Sequence, residues 1–229
     1  MKTYSIQKLY IVSVIAVTLL ASCADLITTS SALVEFERGL SLFNRGKYEK
    51  AATHFIRATE LDPEYTKAYI YLGRSYIGLK DWYSALSPLR TAYRLSPQKT
   101  STEVATLLMD SLFSVVVDEI KRGNFEGTTA LVGEYLQLNK NLGNSNNQIV
   151  SFLISFAAEE LKRGNLNNTY SALKLALDID PENSDAYIGL GRAYFKDGRI
   201  FDALNNIRKA ILLDPNNKEA GNLLNQYSN

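Results

Sequence analysis

The sequence predicts an all-α fold, an α-solenoid of about five helix–turn–helix hairpins followed by a capping helix. Three observations predict it. Pro63 and Pro97 stand 34 residues apart, as do Pro181 and Pro215, and each closes a segment of the same kind. Between the prolines a turn recurs, seen as Lys121-Arg122-Gly123-Asn124-Phe125 and again as Lys162-Arg163-Gly164-Asn165-Leu166. Along the stretches that remain, apolar residues fall at i, i+3, i+4 and i+7, one stripe per helix. A hairpin with such stripes cannot bury them alone, so neighbours must stack.

The N-terminal segment comes first and reads as an address. Lys2 and Lys8 precede an uncharged run from Leu9 to Leu20, and small residues follow before Cys23. A basic start, a short apolar stretch and a small-residue cut site predict a secretory signal peptide over 1–22. The run is shorter than the ~20 apolar residues a membrane-spanning helix needs. Leu20-Ala21-Ser22-Cys23 resembles the lipobox of bacterial lipoproteins, and Cys23 is the single cysteine of the chain. The resemblance implies a diacylglycerol thioether on Cys23, cleavage before it, and acylation of the new N-terminus. Residues 23–31 then read as a lipidated tether, of which the eight residues from Ala24 to Ser31 reach under about 30 Å when extended. Such a protein would sit on the periplasmic or cell-surface face of a bacterial membrane. Ala24, rather than an aspartate, follows the cysteine and tilts the expectation toward the outer membrane.

The repeats begin at residue 32. A first pair covers 32–99 and a second covers 150–217. In the helix ends Leu61-Asp62-Pro63, Leu95-Ser96-Pro97, Ile179-Asp180-Pro181 and Leu213-Asp214-Pro215, proline cannot continue a helix and drives its predecessor out of αR. Glycine just past a helix end supplies an αL cap at Gly46, Gly123, Gly164 and Gly198, and Lys80 takes that position in the second hairpin. Basic residues in the last turn complement the negative helix end. The apolar residue two positions on returns the chain to the core. Gly39, Gly73 and Gly191 permit close approach of the paired helix, where Ala51, Ala85 and Ala203 are small.

These positions carry a family resemblance. Tyr69, Leu72, Gly73 and Tyr76 match Tyr187, Leu190, Gly191 and Tyr194; Ala85, Leu89, Ala92 and Pro97 match Ala203, Ile207, Ala210 and Pro215. The pattern resembles the tetratricopeptide repeat, with tyrosine for its tryptophan and aliphatics for its phenylalanine.

The register breaks in the middle. Pro97 to Pro181 is 84 residues, 16 more than two periods. A degenerate hairpin and loop over 100–149 accounts for them, its core near 109–142. Val116 stands at the first glycine position, Thr128 at the alanine position and Lys140 where proline belongs. Thr100 to Leu108 lengthen its first helix, and Gly143-Asn144-Ser145-Asn146-Asn147 reads as a loop. The tail, 218–229, reads as the polar capping helix that repeat arrays need.

The composition excludes several functions. Hydrophobic residues are 46% and charged residues 21%, a globular balance. Net charge is +1, and −1 once Lys2 and Lys8 are removed, so no basic field for nucleic acid exists. The lone His54 reads as a surface or seam residue. No metal spacing, phosphate-binding loop or nucleophile–base arrangement is visible, so neither enzyme nor cofactor is expected. Glu159-Glu160 and Asp118-Glu119 read as solvated carboxylates near helix ends.

Function in the resembled family resides on the concave face, lined by first helices. The resemblance places there Leu33, Phe36, Leu40 and Phe43; Lys67, Ile70, Arg74 and Ile77; Ser151, Ile154, Ala158 and Leu161; and Asp185, Ile188, Arg192 and Phe195. Phe36 and Leu40 replace the first lysine and asparagine of the carboxylate clamp used by chaperone-binding members. An apolar groove with a few arginines suits an extended or helical protein segment. The expected function is an envelope adaptor or assembly factor, binding another envelope protein or peptide segment. The alternative is a ligand-binding accessory of a transport system, with a closed apolar cavity between the two repeat pairs.

Overall fold

The computed structural model describes residues 31–96, 98–143 and 148–228. The signal segment, Cys23 and most of the tether lie outside them, as do Pro97 and 144–147 of the middle loop. Among the described residues there are eleven α-helices and no strand. They are α1 (31–43), α2 (Tyr48–Leu61), α3 (Thr66–Gly78), α4 (Trp82–Leu95) and α5 (Gln98–Lys121). A 3-10 turn (Glu126–Thr128) leads into α6 (Thr129–Asn141), followed by α7 (Gln148–Arg163), α8 (Leu166–Ile179), α9 (Ser184–Lys196), α10 (Ile200–Leu213) and α11 (Lys218–Ser228). The chain divides into two compact units, Met1–Ser111 and Leu112–Asn229.

The turns form as the glycine pattern predicts. Gly46, Gly123, Gly164 and Gly198 take φ between 70° and 85°, and Lys80 adopts φ 59° without glycine's freedom. In each turn the amide one residue later closes the preceding helix: Asn165 N–H donates to Glu160 O at 2.9 Å, as Asp81 does to Tyr76 and Arg199 to Tyr194. After the prolines, α9 and α11 start at asparagine caps. Asn183 Oδ1 accepts from the Ala186 amide at 3.0 Å, and Asn217 Oδ1 from that of Ala220 at 3.1 Å. Pro88 stands apart from the 34-residue series, buried inside α4.

Close approach of paired helices rests on absent side chains. A Cβ at Gly39 would meet Phe55 at 2.7 Å, at Gly73 Leu89 at 2.6 Å, and at Gly191 Ile207 at 2.5 Å. Ala51, Ala85 and Ala203 are fully buried on the opposing helices.

In unit 1 the core is aromatic: Phe36 sits between Phe55, Tyr65 and Tyr71, with ring centroids 5.1–5.7 Å apart. Glu35 on α1 accepts from His54 Nδ1 on α2 at 2.7 Å, which makes His54 a seam residue between the two helices. In unit 2 a ladder of rings runs Tyr135–Phe113–Phe152–Phe156–Phe125, from α6, α5, α7 and the turn after α5.

The longer spacing of the middle region appears first in α5, which has 24 residues against 13 in α3 and α9. Thr128 at its small-residue position is fully buried, and its hydroxyl is satisfied by donating to Phe125 O at 2.7 Å.

One expectation is overturned. Glu160 is buried, not solvated; Glu159 beside it is exposed. The carboxylate of Glu160 accepts from Arg163 Nη1 at 2.7 Å, Asn165 Nδ2 at 2.8 Å and Asn168 Nδ2 at 2.9 Å. Three donors replace water, which makes burial of the charge tolerable. The Asn168 hydrogen bond, then that of Arg163, holds the carboxyl below its ordinary range. Glu119 makes the same local pair, to Arg122 Nη1 at 3.0 Å and Asn124 Nδ2 at 2.6 Å, and is more open.

Candidate functional site

Unit 2 contains a cavity of about 520 Å3 against α7, α8, α9 and α11. Its floor is apolar. Ala157 from α7, Leu173 from α8 and Ile188 from α9 are buried there, with Ile154 and Leu161 beside them. Gly189 lines it too, and a Cβ at that position would fall 2.8 Å from Leu173 Cδ2. Its bare backbone therefore lets α9 settle against α8.

The rim is charged and mostly basic. Lys162, Arg192 and Lys196 face Asp185 and Glu219 across it. Arg192 forms an ion pair with Glu219 of the capping helix, and both side chains are about half exposed. Lys196 Nζ donates to the Leu161 carbonyl at the end of α7. Asp185 lies in the first turn of α9, where the helix dipole favours a negative charge. Just outside the rim Tyr227 stacks on Phe195, with centroids 3.7 Å apart and planes at 11°. Burial raises the Tyr227 phenol; Arg192 draws it down and Glu219 pushes it up.

The residues expected on the concave face fall into different environments. Ile154, Ala158 and Leu161 of α7 and Asp185, Ile188 and Arg192 of α9 all line the cavity. Ser151 is not in its lining, and Phe195 lies under Tyr227 instead.

In unit 1 the corresponding residues are largely consumed by packing. Phe36 is buried in the aromatic core, with Leu40 and Phe43 packed against it. Phe43 meets Tyr48 at 5.3 Å and Tyr71 at 5.4 Å. Ile70 is buried with Ala92 and Val104, and Ile77 is half-buried. Arg74 pairs with Glu103 of α5 and lies 5.3 Å from the Tyr71 ring centre. Leu33 is exposed.

Sequence reasoning missed Leu173, Gly189, Lys196 and Glu219. Leu173 belongs to a second helix, and Glu219 to a segment read only as a polar cap. Each arginine of the repeated position is met by a glutamate from a later helix, Glu103 of α5 for Arg74 and Glu219 of α11 for Arg192.

Among the described residues no three His, Cys, Asp or Glu side chains are grouped to hold a metal, and no helix is long and apolar enough to cross a membrane.

Two models of the tetratricopeptide repeat match the sequence, one over residues 36–100 and one over 160–227. The chain belongs to the tetratricopeptide repeat family. Its fold agrees: a tetratricopeptide-repeat protein of Bacteroides fragilis superposes with a TM-score of 0.55 at 13% identity, over 86% of this chain and 97% of that one. YrrB, described as having an unusual peptide-binding site, aligns at 19% identity with a TM-score of 0.35, over 83% of this chain and 90% of its own. Superkiller protein 3 of Schizosaccharomyces pombe is 24% identical over 183 residues, which cover 79% of this chain and 12% of that protein. Tetratricopeptide repeats mediate protein–protein interaction, and scaffolds of this family are typically non-enzymatic.

Proposed function

We propose that this tetratricopeptide-repeat chain is a lipid-anchored, non-catalytic adaptor of a bacterial cell envelope, which holds a segment of another envelope protein in the cavity of unit 2. One observation carries the binding part: an apolar floor of Ala157, Leu173 and Ile188 beneath a rim of Lys162, Arg192 and Lys196. Apolar floors supply contact area, and a few placed polar groups orient what binds. A volume near 520 Å3 suits a few side chains of a peptide rather than a whole domain. The anchoring part rests on Leu20-Ala21-Ser22-Cys23 after an uncharged apolar run. Cys23 carries the lipid, and the outer membrane is the favoured location.

The test is pull-down from membranes with the wild-type chain, Arg192→Glu and Arg74→Glu. Arg192→Glu places a second carboxylate beside Glu219 and should lose the partner. Arg74→Glu, outside the cavity, should keep it. If no protein is recovered and a small apolar ligand copurifies instead, the adaptor reading fails and the transport-accessory reading takes its place. Cys23→Ala that is still processed and still sediments with membranes removes the anchor from the proposal.

A further inference from the structure

The capping helix α11 does more at the cavity than cover the end of α9. Glu219, in its first turn, lines the cavity and pairs with Arg192, the rim cation three to four residues beyond the floor residues Ile188 and Gly189. Arg192 and Glu219 are about half exposed, at 45% and 49%. An exposed pair of this kind contributes little, because water and salt screen it and two long side chains must be ordered to form it. A competing carboxylate therefore replaces Glu219 at almost no net loss. Lys196 has a neutral acceptor instead of an acid: its ammonium donates to the Leu161 carbonyl. The rim thus contains one cation whose acidic partner is exchangeable, above an apolar floor that is not.

Resting on the adaptor reading, we infer that Glu219 is a built-in competitor that restrains the binding of acidic segments at Arg192. It is an internal carboxylate that occupies Arg192 until an incoming segment presents its own carboxylate beside apolar side chains. The occupant is then an acidic–apolar segment of a partner protein. A basic segment meets Lys162, Arg192 and Lys196 and gains only the contacts with Asp185 and Glu219. Because α11 is joined to α9 by the Phe195–Tyr227 stack as well, displacing Glu219 leaves the helix docked.

The experiment measures fluorescence anisotropy of two labelled nine-residue probes, alternating leucine–glutamate and leucine–lysine. The proteins are the full chain, Glu219→Gln, Glu219→Asp and Arg192→Gln. The acidic probe should bind about two- to fivefold tighter to Glu219→Gln than to wild type, the span given by the worth of an exposed ion pair. Glu219→Asp keeps the carboxylate and should restore wild-type affinity. Arg192→Gln should weaken the acidic probe, and the basic probe should gain nothing from Glu219→Gln.

The inference is overturned if Glu219→Gln binds the acidic probe no more tightly than wild type. It is equally overturned if the acidic probe binds none of the proteins. A merely structural Glu219 would lower both the urea midpoint and the affinity together. A pull-down that recovers no protein fails the adaptor reading; an affinity indifferent to Glu219 fails only this inference.

Discussion

Gly191 and Gly133 are both helix-interior glycines of unit 2, and alanine should stabilise at Gly133 but not at Gly191. Alanine is favoured over glycine inside a helix by about 1 kcal/mol, and that gain is common to both sites. At Gly133 nothing lies within 4 Å of the added Cβ, so the gain is kept whole. At Gly191 the Cβ would fall 2.5 Å from Ile207 Cδ1, 2.7 Å from its Cγ1 and 3.3 Å from the Ala203 carbonyl oxygen. Ile207 is fully buried and cannot step aside without disturbing α10. Overpacking of this kind costs about 1–3 kcal/mol. Gly191→Ala should therefore be neutral to about 2 kcal/mol destabilising, and the difference between the two variants is the packing term alone. Urea unfolding followed by helical circular dichroism reads it. With a slope of about 1–3 kcal/mol per molar, the two midpoints should separate by several tenths of a molar or more. Adding Ile207→Val to Gly191→Ala removes the nearest atom and should cost less than the two single changes summed. If Gly191→Ala stabilises as much as Gly133→Ala, the close-approach argument for α9 and α10 is wrong.

Lys80 holds φ 59° where the other turns use glycine. Lys80→Gly should raise the unfolding free energy by about 0.5–1 kcal/mol, read as a higher urea midpoint: the αL relief of about 1–2 kcal/mol less glycine's extra chain entropy of about 0.5–1 kcal/mol. Glu160→Ala strands the amides of Asn165 and Asn168 and should cost about 2–4 kcal/mol. Glu119→Ala, with a more open side chain and two side-chain donors recorded against three, should cost distinctly less in the same unfolding assay. Acid should destabilise through Glu35 and Glu160. Both carboxyls are lowered in the fold, so their contribution is complete above the ordinary value of 4.5 and is lost as pH falls below it. Glu160→Gln should flatten that acid limb of a thermal-midpoint against pH curve.

The hairpins were legible because their determinants are local. Proline spacing, αL turns and small residues at Gly39, Gly73 and Gly191 act within one hairpin, and sequence shows them directly. What was illegible depends on chain folded back from elsewhere. Glu160 is buried because Asn168, on the next helix, reaches its carboxylate. Arg74 and Arg192 read as open groove cations because their partners lie 29 and 27 residues further on. Phe36, Leu40 and Phe43 read equally well as groove or core, and only the positions of Tyr48, Tyr65 and Tyr71 decide for core. Of the α7 and α9 quartets, three residues each line one cavity.

The glycine contacts describe a socket on one helix and a filler on the other. The socket is empty at Gly39, Gly73 and Gly191, and the filler opposite is phenylalanine, leucine or isoleucine. One socket thus accepts three shapes, so the second helix of a hairpin can change its filler while the socket stays glycine. In the degenerate hairpin the same two positions carry Val116 and Val132, both buried. The middle hairpin therefore has no such socket: it buries a β-branched side chain at each of the two positions, and glycine at 116 would leave unfilled the volume that valine occupies there.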